Sequence, residues 1–233
     1  VFRPDSSWIG FEVGYDINVQ YAQGARIDSG KQQLGDYALF STAEIEPIKG
    51  LIVKPGVRVA HNTDYAPPVL PSVNLRYRYS KFTLRLAYAR GFRAPSLKEL
   101  YFDFNDINHD ISGSQNLIAE RSNSYNASIS HTHIVKKMLY KLEISAYRND
   151  ISDMITLAQV PNSTSFSYTN IGEFKTQGVR LEGQIAMGHL KISAGVSEIG
   201  RYNVLSSENP DLQTFLYSPE VRSNIRYTWQ PAG

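Results

Sequence analysis

The 233-residue chain contains no cysteine, which excludes disulfide bonds and thiolate metal sites. It contains no run of about 20 apolar residues, which excludes a transmembrane helix. Its 24 Lys and Arg are interspersed with 22 Asp and Glu, so charge gives no reason to propose a nucleic-acid partner. The sequence has no Gly-x-Ser-x-Gly elbow, no His-Glu-x-x-His pair and no Gly-rich phosphate loop, and we expect no enzymatic activity.

Apolar and polar residues alternate strictly over short stretches. Between Lys81 and Arg90 the apolar set is Phe82, Leu84, Leu86 and Tyr88, and the other set is Thr83, Arg85, Ala87 and Ala89. The same alternation recurs near 73–80, 179–187 and 221–230. Because successive side chains of a strand point to opposite faces, each stretch predicts a strand with one apolar and one wet face.

The connections between these stretches alternate between short and long. Tight turns are predicted near 49–50, 79–81, 135–137 and 187–189, and long polar loops near 24–35, 61–71, 91–120, 158–163 and 205–217. About ten strands follow, near 8–23, 36–48, 51–61, 71–79, 82–91, 121–134, 138–157, 164–187, 189–204 and 216–230. Short turns at one end and long loops at the other are typical of a transmembrane β-barrel. We predict an all-β, antiparallel up-and-down meander that forms part of such a barrel.

Aromatic residues of the apolar parity support this orientation. Membrane barrels carry aromatic girdles at both interfaces. Near the predicted short turns lie Phe11, Tyr79, Phe82, Tyr140, Tyr227 and Trp229, and nearer the long loops lie Tyr21, Tyr37, Tyr88 and Tyr125. An even number of strands places both termini at the short-turn side, which we expect to be periplasmic.

Several motifs resemble those of a known family. Phe92-Arg93-Ala94-Pro95 resembles the Phe-Arg-Ala-Pro box of TonB-dependent outer-membrane receptors. Asn116-Leu117 matches the end of their Asn-Pro-Asp/Asn-Leu box, although Ser114 and Gln115 stand where Asn-Pro is expected. The segments 168–172 and 177–182 are similar to the family's Tyr-x-Asn and Gly-Val-Glu elements.

This resemblance implies a multi-pass protein of the bacterial outer membrane, in contact with its lipid. It implies uptake of a scarce nutrient such as haem, cobalamin or an iron-siderophore, driven by the TonB-ExbB-ExbD system through an N-terminal plug. Family barrels have roughly 22 strands. We therefore expect residues 1–233 to be the C-terminal half of the barrel, without the plug and the last hairpin. Its open edges would make the isolated chain self-associate.

The predicted loop 91–120 carries the candidate ligand-binding residues. His109 lies between the two boxes, where the family's haem receptors often carry a ligand histidine, and imidazole can bind haem iron. Arg93 is a second candidate, with an ion-pairing role as the alternative. The oxygen-rich segment 103–110, with Asp106, Asn108 and Asp110, could hold Ca²⁺, although it does not match an EF-hand. A solvated polar loop is the alternative for His109 and for the segment 103–110.

Two further possibilities remain open at this point. His131 and His133 share a strand face, but without a visible third ligand we expect an interfacial pair near Lys136 and Lys137 rather than a metal site. For the whole chain, alternation also fits a non-energised outer-membrane barrel, such as a porin, adhesin or hydrolase. It fits a soluble β-sandwich binding module as well, because alternation alone does not distinguish lipid from a protein core.

Overall fold

The computed structural model describes residues 9–107, 110–203 and 215–229. Ten long strands form one antiparallel sheet in which each strand pairs with its neighbours along the chain. They are β1 Ile9–Gln23, β2 Lys31–Ile48, β3 Leu51–Asn62, β4 Leu70–Tyr79, β5 Phe82–Arg93, β8 Glu120–Val135, β9 Met138–Gln159, β10 Phe166–Met187, β11 Leu190–Asn203 and β12 Leu216–Tyr227. The predicted up-and-down meander is confirmed. No helix in these three ranges has the length and hydropathy to cross a membrane.

The two faces of the sheet differ in the way that the alternation predicts. One apolar row continues in register from β12 to β3 and consists of Val221, Val196, Leu181, Ile144, Ile129, Leu84, Tyr77 and Leu51. Many side chains of this face are exposed, including 80% of Val221 and 75% of Val13. Exposed apolar side chains in such a continuous row require a partner or lipid to cover them.

The opposite face of the sheet is polar and lines a concavity of about 710 Å³. A row in register across it consists of Glu220, Ser197, Arg180, Ser145, Ser128, Arg85 and Arg76. Lys54 forms an ion pair with Glu44 on this face, and Arg58 Nη2 lies 2.9 Å from Asp16 Oδ2. This face is the one predicted to surround a wet or plugged lumen.

The four predicted tight turns lie between the strands as expected. Lys136 and Lys137, which connect β8 to β9, have φ of 45° and 69°, so both central residues adopt the left-handed conformation of a two-residue hairpin. Gly50 has φ of 87°, and a Cβ there would lie 2.6 Å from the Arg78 carbonyl oxygen. The β2–β3 turn therefore requires glycine for both its conformation and its close approach.

The segment 91–120, predicted as a long polar loop, contains regular secondary structure. It contains the helix α1, Leu97–Tyr101, and the short strands β6, Asp103–Asn105, and β7, Asp110–Ser112. Ser96 caps α1 in a capping box with Glu99, and the helix buries Leu97 and Leu100. β7 pairs with the outer end of β10. The apolar residues were too few and too widely spaced to give a periodic signal. We call residues 94–107 and 110–119 the cap.

A second correction concerns the loop predicted at 24–35. β2 begins at Lys31 rather than near residue 36, because its pairing with β1 continues until Lys31 lies opposite Gln23. The connection that remains is a compact turn in which Gly24 donates to the Gly30 carbonyl oxygen. Polar composition suggested a loop, but backbone pairing determined the strand.

The apolar core of the described residues lies at the cap end of the strands. Its centre is the buried trio Leu100, Leu117 and Ile155, with the rings of Tyr65, Tyr101 and Tyr168 packed around it. These residues come from α1, the end of the cap, β9, β10 and the β3–β4 connection. The core fixes the cap on the long-loop ends of the strands.

Candidate functional site

The side chain of Arg93 joins three elements where β5 enters the cap. Its Nε lies 2.7 Å from Glu120 Oε2, and its Nη2 lies 2.5 Å from Glu120 Oε1. Its Nη1 donates to Glu99 Oε2 over 2.9 Å. Glu120 Oε1 also accepts a hydrogen bond from the backbone N–H of Ile155. We call Arg93, Glu99 and Glu120 the latch, because it connects β5, α1, β8 and β9.

Of the three latch residues, Glu99 is the one that lies outside the long strands, in α1. Burial alone would raise the pKa of its carboxyl group. Hydrogen bonds from Arg93 and from the Ser96 backbone and hydroxyl outweigh that effect and hold the pKa below its ordinary value. Glu99 therefore remains a carboxylate that accepts from Arg93 and from the helix start.

The second motif box is held by backbone contacts. Gly113 donates to the Phe102 carbonyl oxygen over 2.6 Å, and Ser114 donates to the Glu99 carbonyl oxygen over 2.9 Å. A Cβ at Gly113 would lie 2.6 Å from the Leu100 carbonyl carbon and oxygen, so this close approach to α1 requires glycine. The box therefore packs directly on the helix.

Asn170 and Tyr65 hold the end of the cap. The Asn170 side chain accepts from the Ile118 N–H and donates to the Ile118 carbonyl oxygen, each over 2.9 Å, and it also donates to the Asp153 carbonyl oxygen. The Tyr65 hydroxyl donates to the Leu117 carbonyl oxygen over 3.1 Å. Burial raises the pKa of this phenol, and Tyr101 and nearby acids raise it further, so Tyr65 remains a donor. Asn170, the last residue of the Tyr-x-Asn element, thus fixes the end of the cap to β10 by hydrogen bonds.

Cations and aromatic rings meet where the β1–β2 turn touches the cap. The Arg26 guanidinium lies 4.2 Å from the centre of the Phe104 ring, Phe104 stacks on Phe102, and the Lys98 ammonium lies 5.6 Å from the Phe102 ring. Arg26 and Lys98 are exposed to solvent. We call these four residues the cationic–aromatic patch. Such groups attract anionic and ring-bearing ligands.

A polar concavity of about 650 Å³ lies beside this patch. Its walls come from the β1–β2 turn and the cap, joined by a bridge between Ile27 and Phe102 and by a hydrogen bond from Gln115 to Asp28 of 2.6 Å. Sequence reasoning missed both the patch and this concavity, because their two sides lie more than 70 positions apart along the chain. The one available signal was the pair of phenylalanines, Phe102 and Phe104, inside a polar stretch.

The predicted ligand residues lie in different settings. Arg93 belongs to the latch beneath α1, and the Asp110 carboxylate on β7 accepts a short hydrogen bond from the Ser165 hydroxyl. Asp106 lies in the bend after β6. Asn108 and His109 lie outside the described residues. Within the described ranges no three His, Asp or Glu side chains converge in a way that could hold a metal ion.

His131 and His133 lie on the apolar face near the β8–β9 turn. Their rings stack at 6.2 Å, and His131 lies 4.8 Å from the Phe82 ring. Their cross-strand neighbours are Leu142 and Tyr140. These contacts agree with the interpretation of an interfacial pair next to Lys136 and Lys137.

Comparison with known proteins identifies the sheet. A family model described as "TonB dependent receptor-like, beta-barrel" matches residues 3–233. A vitamin B12 transporter, BtuB of Vibrio vulnificus, is 34% identical over 99 residues, which is 42% of this chain and 14% of that protein.

The fold of this chain is similar to that of several solved structures. The siderophore receptor PirA of Pseudomonas aeruginosa aligns with a TM-score of 0.67 and 20% identity, over 93% of this chain and 42% of PirA. The hemophore receptor HasR of Serratia marcescens, in complex with its hemophore HasA and heme, aligns with a TM-score of 0.65 and 11% identity, over 84% of this chain and 41% of HasR. The chain spans less than half the length of each of these proteins.

Proposed function

The chain belongs to the TonB-dependent receptor family, in its β-barrel domain, and we propose that the whole protein takes up a scarce nutrient across the bacterial outer membrane with energy from the TonB-ExbB-ExbD system. Receptors of this family are outer-membrane proteins. The observation that carries the proposal is the pairing of an outward apolar face with a polar concave face under a folded cap. A soluble module would have no lipid to cover that apolar row.

In the proposed mechanism the cap and the β1–β2 turn capture the ligand outside the cell. The latch holds α1 and β8 together, so that the cationic–aromatic patch is presented on a rigid support. The ligand then passes into the lumen lined by the polar face, from which a plug moved by TonB would release it inward. Preorganised loops reduce the entropy that binding would otherwise cost.

The chemistry of the patch favours an anionic iron complex with flat, ring-bearing surfaces. Arg26 and Lys98 supply the positive charge, and Phe102 and Phe104 supply the stacking surface. Iron-siderophores of the aromatic type and haem both fit that description. Cobalamin is the second candidate, supported by the similarity to a vitamin B12 transporter over 99 residues.

The test is uptake of labelled haem, cobalamin and aromatic iron-siderophores by cells with and without the full-length protein. We expect protein-dependent uptake of one ligand, which a protonophore abolishes. Uptake that survives the protonophore would identify a passive barrel instead. Replacing Arg26 and Lys98 by Gln should weaken binding of an anionic ligand, whereas Lys49→Gln, in the opposite turn, should not.

His109 distinguishes haem from the other ligands. If His109 is an axial ligand, His109→Ala should shift the Soret band of the haem-bound receptor and weaken haem binding. His189→Ala, in the β10–β11 turn, is the matched control. An unchanged spectrum would remove His109 from the site and favour cobalamin or a siderophore. Titration of the same protein with Ca²⁺ tests the proposed cation site in 103–110.

A further inference from the structure

Arg90 and Arg121 lie on the apolar face of the sheet, just beyond its aromatic residues. β5 and β8 pair without interruption, with Tyr88 opposite Tyr125 and Arg90 opposite Asn123. The Tyr88 and Tyr125 rings lie 5.2 Å apart, and the Tyr88 hydroxyl donates to Asn123 Oδ1. Alternation therefore places Arg90 and Arg121 on the same face as the two tyrosines, on the long-loop side of them.

These two arginines are close neighbours of like charge. Arg121 lies two positions from Asn123 on β8, which makes it the diagonal neighbour of Arg90, about 7–8 Å away by its Cα. Both side chains are exposed. Two arginine side chains on diagonal neighbours carry like charges, and an anion that lies between them would remove their repulsion.

The nearby carboxylates on this face are already paired. Asp150 accepts from Arg148 Nε over 2.9 Å, and Glu173 lies 2.9 Å from the Lys175 ammonium. Among the described residues no ion pair involves Arg90 or Arg121. Asn123 uses its carbonyl oxygen for Tyr88, which leaves its amide N–H groups to donate outward.

The position of the pair along the strand defines its surroundings. From Phe82, beside the short β4–β5 turn, to Arg90 the strand rises roughly 20 Å at a tilt of 35–45°. The apolar band of a membrane barrel is about 25 Å tall, and the long arginine side chains reach beyond its edge. In a barrel that spans the membrane in this orientation, the two guanidinium groups would therefore lie at the level of the outer-leaflet headgroups and would face lipid rather than the lumen.

We propose that Arg90 and Arg121 bind the phosphate of an anionic lipid in the outer leaflet, with Asn123 as a third donor. Guanidinium groups form bidentate hydrogen bonds with phosphate oxygens, and one phosphate between the two arginines removes their repulsion. Tyr88 and Tyr125 pack below it at the boundary between headgroup and acyl chain. The site depends on the membrane placement of the proposed function but not on the nutrient.

The test is lipid binding by the full-length receptor in detergent, measured by native mass spectrometry. The probes are phosphatidylglycerol, phosphatidylcholine and inorganic phosphate. We expect phosphatidylglycerol to be retained in preference to phosphatidylcholine, and the double variant Arg90→Gln, Arg121→Gln to lose about tenfold in apparent affinity. The matched control, Arg78→Gln with Arg226→Gln, removes two exposed arginines from the lumen face near the short turns and should retain the lipid.

Three results would overturn the proposal. They are equal retention of the two lipids by the wild-type protein, equal loss of lipid in the test and control variants, and displacement of the lipid by millimolar inorganic phosphate. The last result would identify a site for a free anion. Nutrient uptake by the double variant separates this inference from the proposed function, because a lipid site can fail while uptake continues.

Discussion

The spanning strands and the cap arrange their apolar residues in opposite ways. On the strands, apolar side chains point away from the protein, and 72% of Ile225 is exposed. In the cap they point inward, and Leu100 and Leu117 are each only 4% exposed. Apolar residues of the same types are thus covered by lipid on the strands and by other residues of the protein in the cap. The direction of the apolar side chains, rather than the overall hydropathy, therefore indicates which surface of the protein lipid covers.

The two regions also differ in how their polar backbone groups are satisfied. The strands use ladder hydrogen bonds to the adjacent strands, and these bonds are distributed over many residues. The cap depends on single side chains, such as Asn170 on Ile118, Tyr65 on Leu117 and Glu120 on Ile155. Loss of one side chain should consequently affect the cap more than the strands, unless the change affects the lipid face.

The largest effect is expected from a charge on the lipid face. Leu84→Arg places a guanidinium in the apolar row and should cost about 2–4 kcal/mol of folding free energy. Thr83→Arg adds the same charge to the polar face and should cost much less. The measurement is denaturant unfolding of the full-length receptor in lipid vesicles. Equal costs would contradict the assignment of the two faces.

Shortening a buried side chain in the cap should destabilise the cap locally, by a free energy similar to or smaller than that of the charge on the lipid face. Leu117→Ala removes a buried side chain from the core trio and should cost about 2–3 kcal/mol, measured by hydrogen exchange of cap amides. Leu142→Ala, at a site that is 50% exposed on the lipid face, should leave the cap amides unchanged. Faster exchange throughout the strands after Leu117→Ala would show that the two regions unfold together.

A methyl group at Gly113 tests the close packing of the cap. Gly113→Ala forces Cβ against the backbone of α1 and should cost about 1–3 kcal/mol in the same exchange measurement. Gly172→Ala is the control, because nothing lies within 4 Å of a Cβ at that position. Tolerance of alanine at both positions would mean that the segment at Gly113 is not closely packed on α1.

The smallest effect is a pH dependence of the latch. The pKa of Glu99 is lowered in the folded protein, so its contribution is fully present above its unfolded value of about 4.3 and is lost as the pH falls through the folded value. Protection of the cap amides, corrected for intrinsic exchange, should be constant from pH 7 to pH 5 and decline below about 4.3. Glu99→Gln should remove that decline.

The strands and tight turns could be predicted because they follow local rules. A period of two identifies a strand face, and residues such as Gly50 mark the turns. The cap could not be predicted in the same way, because its contacts join distant positions, such as Arg26 with Phe104 and Tyr65 with Leu117. The motif boxes indicated the family, but the roles of their residues in the latch and in packing on α1 depend on contacts between segments that are separated in the sequence. The ligand role of His109 remains a prediction.

The order of the strands in the sheet has a consequence for assembly. Each long strand pairs with its neighbours along the chain, with the cap as the one long connection between paired strands in the described ranges. Contacts between sequence neighbours require little loop closure, so we expect the hairpins to form first and in succession. The cap needs the β1–β2 turn, Tyr65, α1 and the outer ends of β9 and β10 together. It should therefore form last, after the strands beneath it are in place.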